Sequence, residues 1–390
     1  MEGTEILGEL RAADFLNHYW QKKPLLIRQA IPGFSPNLTA EELAGLSLDD
    51  FVNSRIVLEK HGSTPWECRY GPFTEADYAT LPDSHWTLLV QDVEKHLPDF
   101  ISLLDHFLFL PRWRIDDLMV SYAVPHGSVG PHTDQYDVFL LQASGKRKWQ
   151  IQQHDIQTDN LLRDTDLQIL QEFKAEQEWI LEPGDMLYLP PGVAHHGIAV
   201  DECVTFSIGF RAPSIADLVH MMAEHIASEM GDNQRYTDGE IQPTNHPGEL
   251  NYQAVSRIRQ QLDSAWQSGL DDLELFLGQH LSESHHVIEE SEDITLPMSS
   301  TSELEEAITH HKRLQIHPSI NMIYVRQSDG IVCFVDGQRF RIAGEASASV
   351  MQLIDHYSVT GVAKNQLIKS SDVMKMLYVI NQNSGLILSE

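Results

Sequence analysis

The sequence predicts a mainly β protein with added helices, built around a jelly roll, that is, a double-stranded β-helix. Short β-rich runs separated by Gly, Pro and Asp fill the stretch between Arg114 and Phe210. A helical period replaces them from Ser214 onward. The 390 residues are 42% hydrophobic, enough to bury more than one core. The β-rich runs are Leu118 to Val124, Tyr136 to Leu141, Lys148 to Ile151, Trp179 to Leu181, Met186 to Leu189 and Thr205 to Phe210.

The segment before the jelly roll is predicted to combine short helices with strands. Thr39-x-x-Glu42 and Ser47-x-x-Asp50 have the pattern of capping boxes, so each is expected to begin a short helix. The other elements predicted here are a helix from Ala12 to Tyr19 and strands at Leu25 to Ile27, Arg55 to Leu58 and Trp86 to Val90.

Helices follow the jelly roll. Amphipathic patterns run from Ser214 to Met230, Tyr252 to Trp266 and Leu270 to Leu281, and predict either a packed subdomain or a dimer interface. The acidic, Ser-rich stretch from Glu289 to Ser302 is typical of a linker. A helix, a β-ribbon and further helices come last, an order that suits a winged-helix-like module. We therefore predict domains at 1–212, 213–288 and 289–390.

The charge of the chain narrows the class of partner. It carries 27 Lys+Arg against 57 Asp+Glu, a net charge of −30. DNA, RNA and anionic membranes bind through clustered Lys and Arg, so we expect none of them as a direct partner and expect a basic one instead. The sequence has no apolar run long enough to span a membrane and no signal-peptide pattern, which predicts a cytoplasmic protein.

Two motifs predict a metal centre. Residues two apart on a strand point the same way, so His132 and Asp134 in His-Thr-Asp aim an imidazole and a carboxylate at one point. Further on, a Pro190-Pro191-Gly192 bend precedes His195 and His196, one of which is expected to face the same point. Two histidines and one carboxylate leave coordination positions open, as in non-heme iron(II) oxygenases. A structural zinc site more often closes its coordination with Cys or a further His.

Several segments resemble the JmjC family of iron(II)- and 2-oxoglutarate-dependent oxygenases, in particular its ribosomal oxygenase branch. The resemblance covers the whole chain in order, and its motifs are specific up to residue 212. They are Trp20-Gln21-Lys22-Lys23-Pro24-Leu25, Trp113-Arg114-Ile115-Asp116-Asp117-Leu118-Met119, His132-Thr133-Asp134-Gln135-Tyr136-Asp137-Val138-Phe139 and Pro190-Pro191-Gly192.

The resemblance implies which residues hold the metal and the co-substrate. His132, Asp134 and His195 become the iron(II) ligands, because the family spacing after Pro-Pro-Gly selects His195. Arg147 becomes the anchor for 2-oxoglutarate, with Ser121 as a second contact, and O2 completes the set of reactants. The alternative for Arg147 is a solvated basic hairpin formed by Lys146, Arg147 and Lys148.

The substrate side is an interpretation of the same resemblance. An arginine substrate needs a carboxylate and flat or soft surfaces, which Asp117, Tyr136 and Met119 supply, with a hydroxyl from Ser207. The alternative for Asp117 is an ordinary ion pair with Arg112 or Arg114.

The implied function is hydroxylation of an arginine β-carbon in the large-subunit ribosomal protein L-sixteen by a homodimeric enzyme. Alternatives are hydroxylation of a histidine or demethylation of a lysine in another basic protein, and a non-catalytic metal-binding scaffold. A nucleic-acid regulator that uses the C-terminal module is disfavoured, because residues 301–390 carry 8 Lys+Arg and 9 Asp+Glu.

Overall fold

The structure, a computed structural model, describes residues 5–60, 65–163, 165–231, 234–283 and 295–389. The described chain divides into two compact units. The first contains the residues up to Ala212 together with His317–Ser319, and the second contains the rest from Pro213. The predicted domain boundary between residues 288 and 289 lies outside the described residues.

The first unit carries twelve strands and five α-helices among its described residues. The strands are β1 (Leu25–Ile27), β2 (Ser54–Glu59), β3 (Trp66–Tyr70), β4 (Trp86–Val90), β5 (Leu118–Ala123), β6 (His132–Thr133), β7 (Asp137–Ser144), β8 (Arg147–Gln152), β9 (Gln177–Leu181), β10 (Met186–Leu189), β11 (Ala194–Ala199) and β12 (Cys203–Phe210). The helices are α1 (Ala12–His18), α2 (Ala40–Leu46), α3 (Glu75–Tyr78), α4 (Val93–His96) and α5 (Ile101–Leu104).

Two antiparallel sheets form the jelly roll. The larger has the order β1-β10-β7-β12-β5-β4-β2-β3, and the smaller has the order β6-β11-β8-β9. Residues from both sheets share one apolar cluster, which includes Val138 and Leu187 of the large sheet and Trp149 and Ile151 of the small one. The predicted jelly roll is confirmed, and the predicted β-rich runs correspond to β5, β7, β8, β9, β10 and β12.

The large sheet is covered on its other face by a second and larger core. Successive side chains of β7 alternate between the two cores, so Val138 packs between the sheets while Phe139 packs against Phe15 and Phe107 on the outer side. Most of the stabilising apolar burial therefore lies outside the sandwich. The space between the sheets is left available for polar side chains.

A buried polar network ties the N-terminal segment to the large sheet. The Tyr188 hydroxyl donates to Asp137 Oδ1 at 2.6 Å and accepts from the Gln21 backbone N–H at 2.7 Å. Gln21 Nε2 and Arg114 Nη2 also donate to Asp137 Oδ2, at 3.1 and 3.5 Å. The Trp20-Gln21 motif thus has a structural role, with the Trp20 ring stacked on Tyr188.

The second unit contains helices and two small sheets. Its helices are α6 (Ile215–Glu229), α7 (Tyr252–Asp271), α8 (Leu273–Leu281), α9 (Thr301–His310), α10 (Ala346–His356), α11 (Gly361–Leu367) and α12 (Ser371–Gln382). Its strands are β13 (Arg313–Ile316), β14 (Met322–Gln327), β15 (Gly330–Val335), β16 (Gln338–Ala343), β17 (Ser358–Thr360) and β18 (Leu386–Ser389). The strand orders are β17-β13-β18 and β14-β15-β16. The winged-helix-like assignment stays a prediction.

One buried cation in this unit has a purely structural role. Lys364 is 4% exposed, and its Nζ donates to the carbonyl oxygens of Ile308, at 2.5 Å, and His311. These carbonyls belong to the last turn and the end of α9, where helix carbonyls lack partners within the helix. A charged donor in the interior is therefore satisfied without any ligand.

One predicted helix start is wrong. Thr39 and Glu42 form the predicted capping box of α2, but Ser47 ends that helix instead of beginning another. Its hydroxyl donates to the Ala44 carbonyl at 2.7 Å. A Ser that bonds back to the preceding turn caps a C-terminus and does not start a new helix.

Within the residues that the structure describes, no helix has the length and apolar character needed to cross a bilayer.

Candidate metal centre and adjoining pocket

The central group is formed by His132, Asp134 and His195. The short strand β6 pairs antiparallel with β11, and the register places His132 directly opposite His195. The imidazole Nε2 atoms of His132 and His195 lie 4.0 and 3.5 Å from the two carboxylate oxygens of Asp134. One ligand atom from each residue lies within 4.8 Å of the other two. The three side chains therefore converge on one small volume.

Backbone contacts orient both imidazoles. His132 Nδ1 is 2.9 Å from the Gly130 carbonyl oxygen, and His195 Nδ1 is 3.1 Å from the Val193 carbonyl oxygen. A carbonyl only accepts, so each Nδ1 donates, and the neutral form of each ring therefore has its lone pair on Nε2. Backbone carbonyls commonly fix metal-ligating histidines in this way.

The Pro190-Pro191-Gly192 bend connects β10 to β11 and also fixes the third member of the group. The Gly192 N–H donates to the Asp134 carbonyl oxygen at 2.8 Å. Gly192 has φ of +79°, a left-handed conformation that favours glycine. The bend thus positions His195 and holds the backbone of Asp134 in one local structure.

Burial keeps His195 neutral. Its side chain is 3% exposed, while those of His132 and Asp134 are partly exposed. Burial, followed by the neighbouring His132, lowers the pKa of His195 to about 4. The neutral imidazole is the form that binds a metal.

His196 lies apart from the group. It pairs across the sheet with Gln150, whereas His195 pairs with Ile151. The rings of His196 and Phe173 are perpendicular, with a centroid distance of 5.9 Å. Strand alternation therefore directs His195 to Asp134 and His196 to the opposite face.

Arg147 lies between the two sheets as an isolated cation. It is 2% exposed, so it is no solvated hairpin residue, while Lys146 next to it pairs with Glu182 at 2.6 Å. Arg147 Nη1 donates to Ser121 Oγ at 3.2 Å and Nη2 to the Gly197 carbonyl oxygen at 3.5 Å. Its Nε has no hydrogen-bond partner among the residues that the structure describes. No carboxylate of the described residues pairs with it, and burial lowers its pKa.

An unpaired buried guanidinium is costly, because no opposite charge offsets its desolvation. The planar fork matches a carboxylate, and Ser121 adds a hydroxyl beside it. The donor set of this part of the sandwich therefore fits an anionic ligand.

Gly197 makes room for Arg147. A Cβ at this position would lie 2.7 Å from the Trp149 ring and 2.8 Å from Arg147 Nε. The guanidinium carbon of Arg147 in turn lies 5.1 Å from the centroid of the Trp149 ring. Arg147 and Trp149 are thus packed closely over a residue that has no side chain.

Asp117 and Tyr136 lie together beside Gly209. A Cβ at Gly209 would lie 3.1 Å from Asp117 Oδ1 and 3.7 Å from the Tyr136 ring, so both side chains face this glycine. Arg112 and Arg114 pair with Asp105 and Asp137 instead of Asp117. In the described parts of the chain, no ion pair involves Asp117.

The environment of Asp117 is acidic and poorly solvated. Burial, then Asp92 and Asp116, raise the pKa of Asp117 to about 7. Burial raises the pKa of Tyr136, and the nearby Asp134 adds to the shift. The carboxylate therefore gains stability from any cation that enters the pocket.

Met119 and Ser207 occupy the adjoining strands. They pair directly across β5 and β12, as do Ser121 and Thr205 one step further along. Residues two apart share a face, so Met119 and Ser121 of β5 point to the same side of the sheet, toward Arg147. The structure thus places the expected substrate residues beside the expected co-substrate residues.

Three residues that the sequence motifs did not indicate adjoin this group: Gly197, Gly209 and Arg211, whose guanidinium lies against Tyr136 and Asp116. The signal for Gly209 and Arg211 was present, because they continue the alternation of Thr205 and Ser207 along and just beyond β12. Gly197 carried no comparable signal, since its importance comes from the side chains that pack over it.

Comparisons with known proteins define the class. A family model described as JmjC domain matches residues 102–218, and a model of an AraC-like ligand binding domain matches residues 173–266. The ribosomal protein uL16 3-hydroxylase of Escherichia coli is 36% identical over 277 residues, covering 71% of this chain and 72% of that protein. The chain therefore belongs to the ribosomal oxygenase branch of the JmjC family of iron(II)- and 2-oxoglutarate-dependent oxygenases.

Two further relatives and two solved structures are also similar to this chain. A probable ribosomal oxygenase of Haemophilus influenzae is 37% identical over 53% of this chain and 50% of its own length. An Aedes aegypti protein, a bifunctional lysine-specific demethylase and histidyl-hydroxylase, is 25% identical over 56% of this chain and 36% of its own length. The X-ray structure of E. coli YcfD matches with a TM-score of 0.85 and 29% identity, covering 98% of this chain and 99% of that one. Another structure of YcfD, with a TM-score of 0.82, contains cobalt and 2-oxoglutarate.

We predict that Gly197→Ala destabilises the first unit by about 1 to 3 kcal/mol, because the added methyl group overlaps Trp149 and Arg147. Gly45→Ala is the matched control. Nothing lies near its Cβ position on α2, so it should stabilise by about 0.5 to 1 kcal/mol. Urea unfolding followed by Trp fluorescence measures both. Equal effects of the two substitutions would contradict the close packing at Gly197.

Proposed function

We propose that this protein hydroxylates an arginine side chain of the ribosomal protein uL16 (L-sixteen), with iron(II), 2-oxoglutarate and O2 as cofactor and co-substrates. The observation that carries the arginine assignment is Asp117, a carboxylate without an ion pair in the described chain, facing the Tyr136 ring across Gly209. The similarity to a uL16 3-hydroxylase supports the choice of protein and of the β-carbon.

Each part of the site is assigned a role. His132, Asp134 and His195 would hold the iron through two Nε2 atoms and a carboxylate, a donor set that suits iron(II) and leaves positions free. Arg147 and Ser121 would hold the distal carboxylate of 2-oxoglutarate, which supplies the missing counter-charge. The bound metal and co-substrate together supply the oxidising chemistry that inserts one oxygen atom into a C–H bond.

The protein itself positions the substrate. Asp117 would accept hydrogen bonds from the guanidinium, and the Tyr136 ring offers a flat face against which it stacks. Met119 and Ser207, paired across β5 and β12, line the aliphatic part of the side chain. Tyr136 follows Asp134 by two residues, so the stacking face begins next to the proposed metal. Fixing the target carbon in this way is the main contribution of the chain to the rate.

Two alternatives receive less support from the site. The insect relative is a lysine-specific demethylase and histidyl-hydroxylase. Lysine and histidine side chains lack the planar guanidinium that Asp117 and Tyr136 suit. A non-catalytic scaffold would need no ligand at Arg147, and would keep an uncompensated buried charge.

We also infer the setting in which the enzyme acts. A net charge of −30 favours a basic ribosomal protein as the partner and disfavours direct nucleic-acid binding. A substrate of this class places the reaction in the cytoplasm. The predicted segment at 213–288 would serve dimerisation, and residues 289–390 would form a winged-helix-like domain.

The homodimer is supported by α7. This helix has 20 residues, none of them buried, yet its exposed side chains include Val255, Leu262 and Trp266. Amphipathic helices draw most of their stability from packing of the apolar face, so a second copy is the proposed partner. Sedimentation equilibrium of the full chain tests this, and a monomer throughout would count against it.

The central experiment is a hydroxylation assay. Purified protein with iron(II), 2-oxoglutarate and uL16 should add one oxygen atom to one arginine, mapped by peptide mass spectrometry, with one succinate formed per product. Asp134→Ala should lose both metal binding, measured by calorimetry with Mn²⁺, and oxygen insertion. Oxygen gain on histidine alone, or loss of lysine methyl groups, would overturn the arginine assignment.

The pKa of Asp117 predicts a pH dependence of substrate binding. The group ionises near pH 7, so the carboxylate is mostly protonated below this value and binds a guanidinium weakly. KM for an arginine peptide should fall by about tenfold between about pH 6 and about pH 8. Asp117→Asn should have a high KM without this slope, and the same slope in the variant would contradict the assignment. The charged groups that act on Asp117 or share its environment are Asp92, Asp116, Glu94, Lys95 and Arg211.

A further inference from the structure

We propose that Arg211 is a resident guanidinium that covers the arginine pocket in the free protein and is displaced by the substrate guanidinium. The inference rests on the proposed arginine hydroxylation and extends it to how the pocket selects its substrate. It assigns a specificity role to a side chain at the rim of the site.

Arg211 makes the two kinds of contact that an arginine substrate would need, one with an aromatic ring and one with a carboxylate. Its guanidinium carbon lies 5.5 Å from the centroid of the Tyr136 ring, and its Nε lies 3.3 Å from Asp116 Oδ2. The protein therefore already holds one guanidinium against an aromatic face and a carboxylate. Both groups adjoin Asp117, which has no ion pair of its own in the described chain.

The side chain of Arg211 is free to leave, although its backbone is fixed. It is 64% exposed, and its partner Asp116 is 36% exposed, so the pair is a weak surface ion pair. Arg114 fixes the backbone at this position. Its Nε donates to the Arg211 carbonyl oxygen at 3.2 Å, and its Nη2 donates to the Phe210 carbonyl oxygen at 3.4 Å. Rotation about the side-chain bonds therefore uncovers Tyr136 without moving β12.

Arg211 and a substrate arginine compete for the same contacts because both carry a guanidinium. A second guanidinium on the Tyr136 face would have to share the ring and would be repelled by Arg211, so the resident group has to move first. A substrate arginine replaces the lost contacts with equivalent ones, because it has the same planar fork. Lysine and histidine replace them less completely, which increases the preference of the pocket for arginine.

The test compares Arg211→Ala, Arg211→Lys and wild type with a uL16-derived arginine peptide. Arg211→Ala should lower KM by about three- to tenfold, and Arg211→Lys should fall between the two. Calorimetric binding of the same peptide to the metal-free protein should tighten by a similar factor, which separates binding from turnover. A peptide with lysine in place of the target arginine should gain more affinity from Arg211→Ala than the arginine peptide does.

The matched control is Arg11→Ala, which removes another exposed ion pair, with Asp14 at 2.7 Å, and should leave KM unchanged. A raised KM in Arg211→Ala would show that Arg211 assists binding, and an unchanged KM would make it a bystander. Either result overturns the proposal while hydroxylation of arginine still stands. No oxygen gain on any arginine with wild-type protein would overturn both.

Discussion

A buried guanidinium without a carboxylate partner is the constraint on which this site depends. Arg147 lies between the two sheets. Within the described parts of the chain, its Nη atoms donate to Ser121 and the Gly197 carbonyl, and its Nε has no hydrogen-bond partner. In a medium of low polarity such a charge is costly when its donors are only partly satisfied, and a bound anion would offset that cost. The pairing of β11 with β8 and β6 places His132 and His195 on the same small sheet as Arg147, with Asp134 just beyond the end of β6. A ligand with a carboxylate at one end and a chelating group at the other would satisfy both.

The fold tolerates a buried, unpaired Arg147 because its larger apolar core lies outside the two sheets. Aromatic side chains on the outer face of the large sheet, together with the N-terminal helices, supply most of the apolar burial. The network of Tyr188, Asp137 and Gln21 fixes that outer layer. The space between the sheets can then carry polar groups whose burial costs stability until ligands bind.

Much of the barrel could be predicted from sequence, because its longer strands are buried on one or both faces and are therefore rich in apolar residues. The His-x-Asp and Pro-Pro-Gly motifs also indicated the metal group, since both are local patterns. β6 and β11 could not be predicted in this way. The first has two residues, and the second, Ala194–Ala199, is rich in Ala, His and Gly, so tertiary pairing determines both. Arg211 continues the alternation of β12, but it was missed because the groups that it contacts, Asp116 and Tyr136, come from distant parts of the chain.

Two keto acids with the same chelating end test directly whether Arg147 binds the distal carboxylate of the co-substrate. 2-Oxoglutarate and 2-oxobutyrate differ in the distal carboxylate, so the ratio of their affinities for the Mn²⁺-loaded protein, measured by anaerobic calorimetry, isolates the contribution of Arg147. We expect wild type to prefer 2-oxoglutarate by at least about 100-fold, and Arg147→Leu to lose most of this preference while still binding Mn²⁺. An unchanged preference in Arg147→Leu would contradict this role of Arg147.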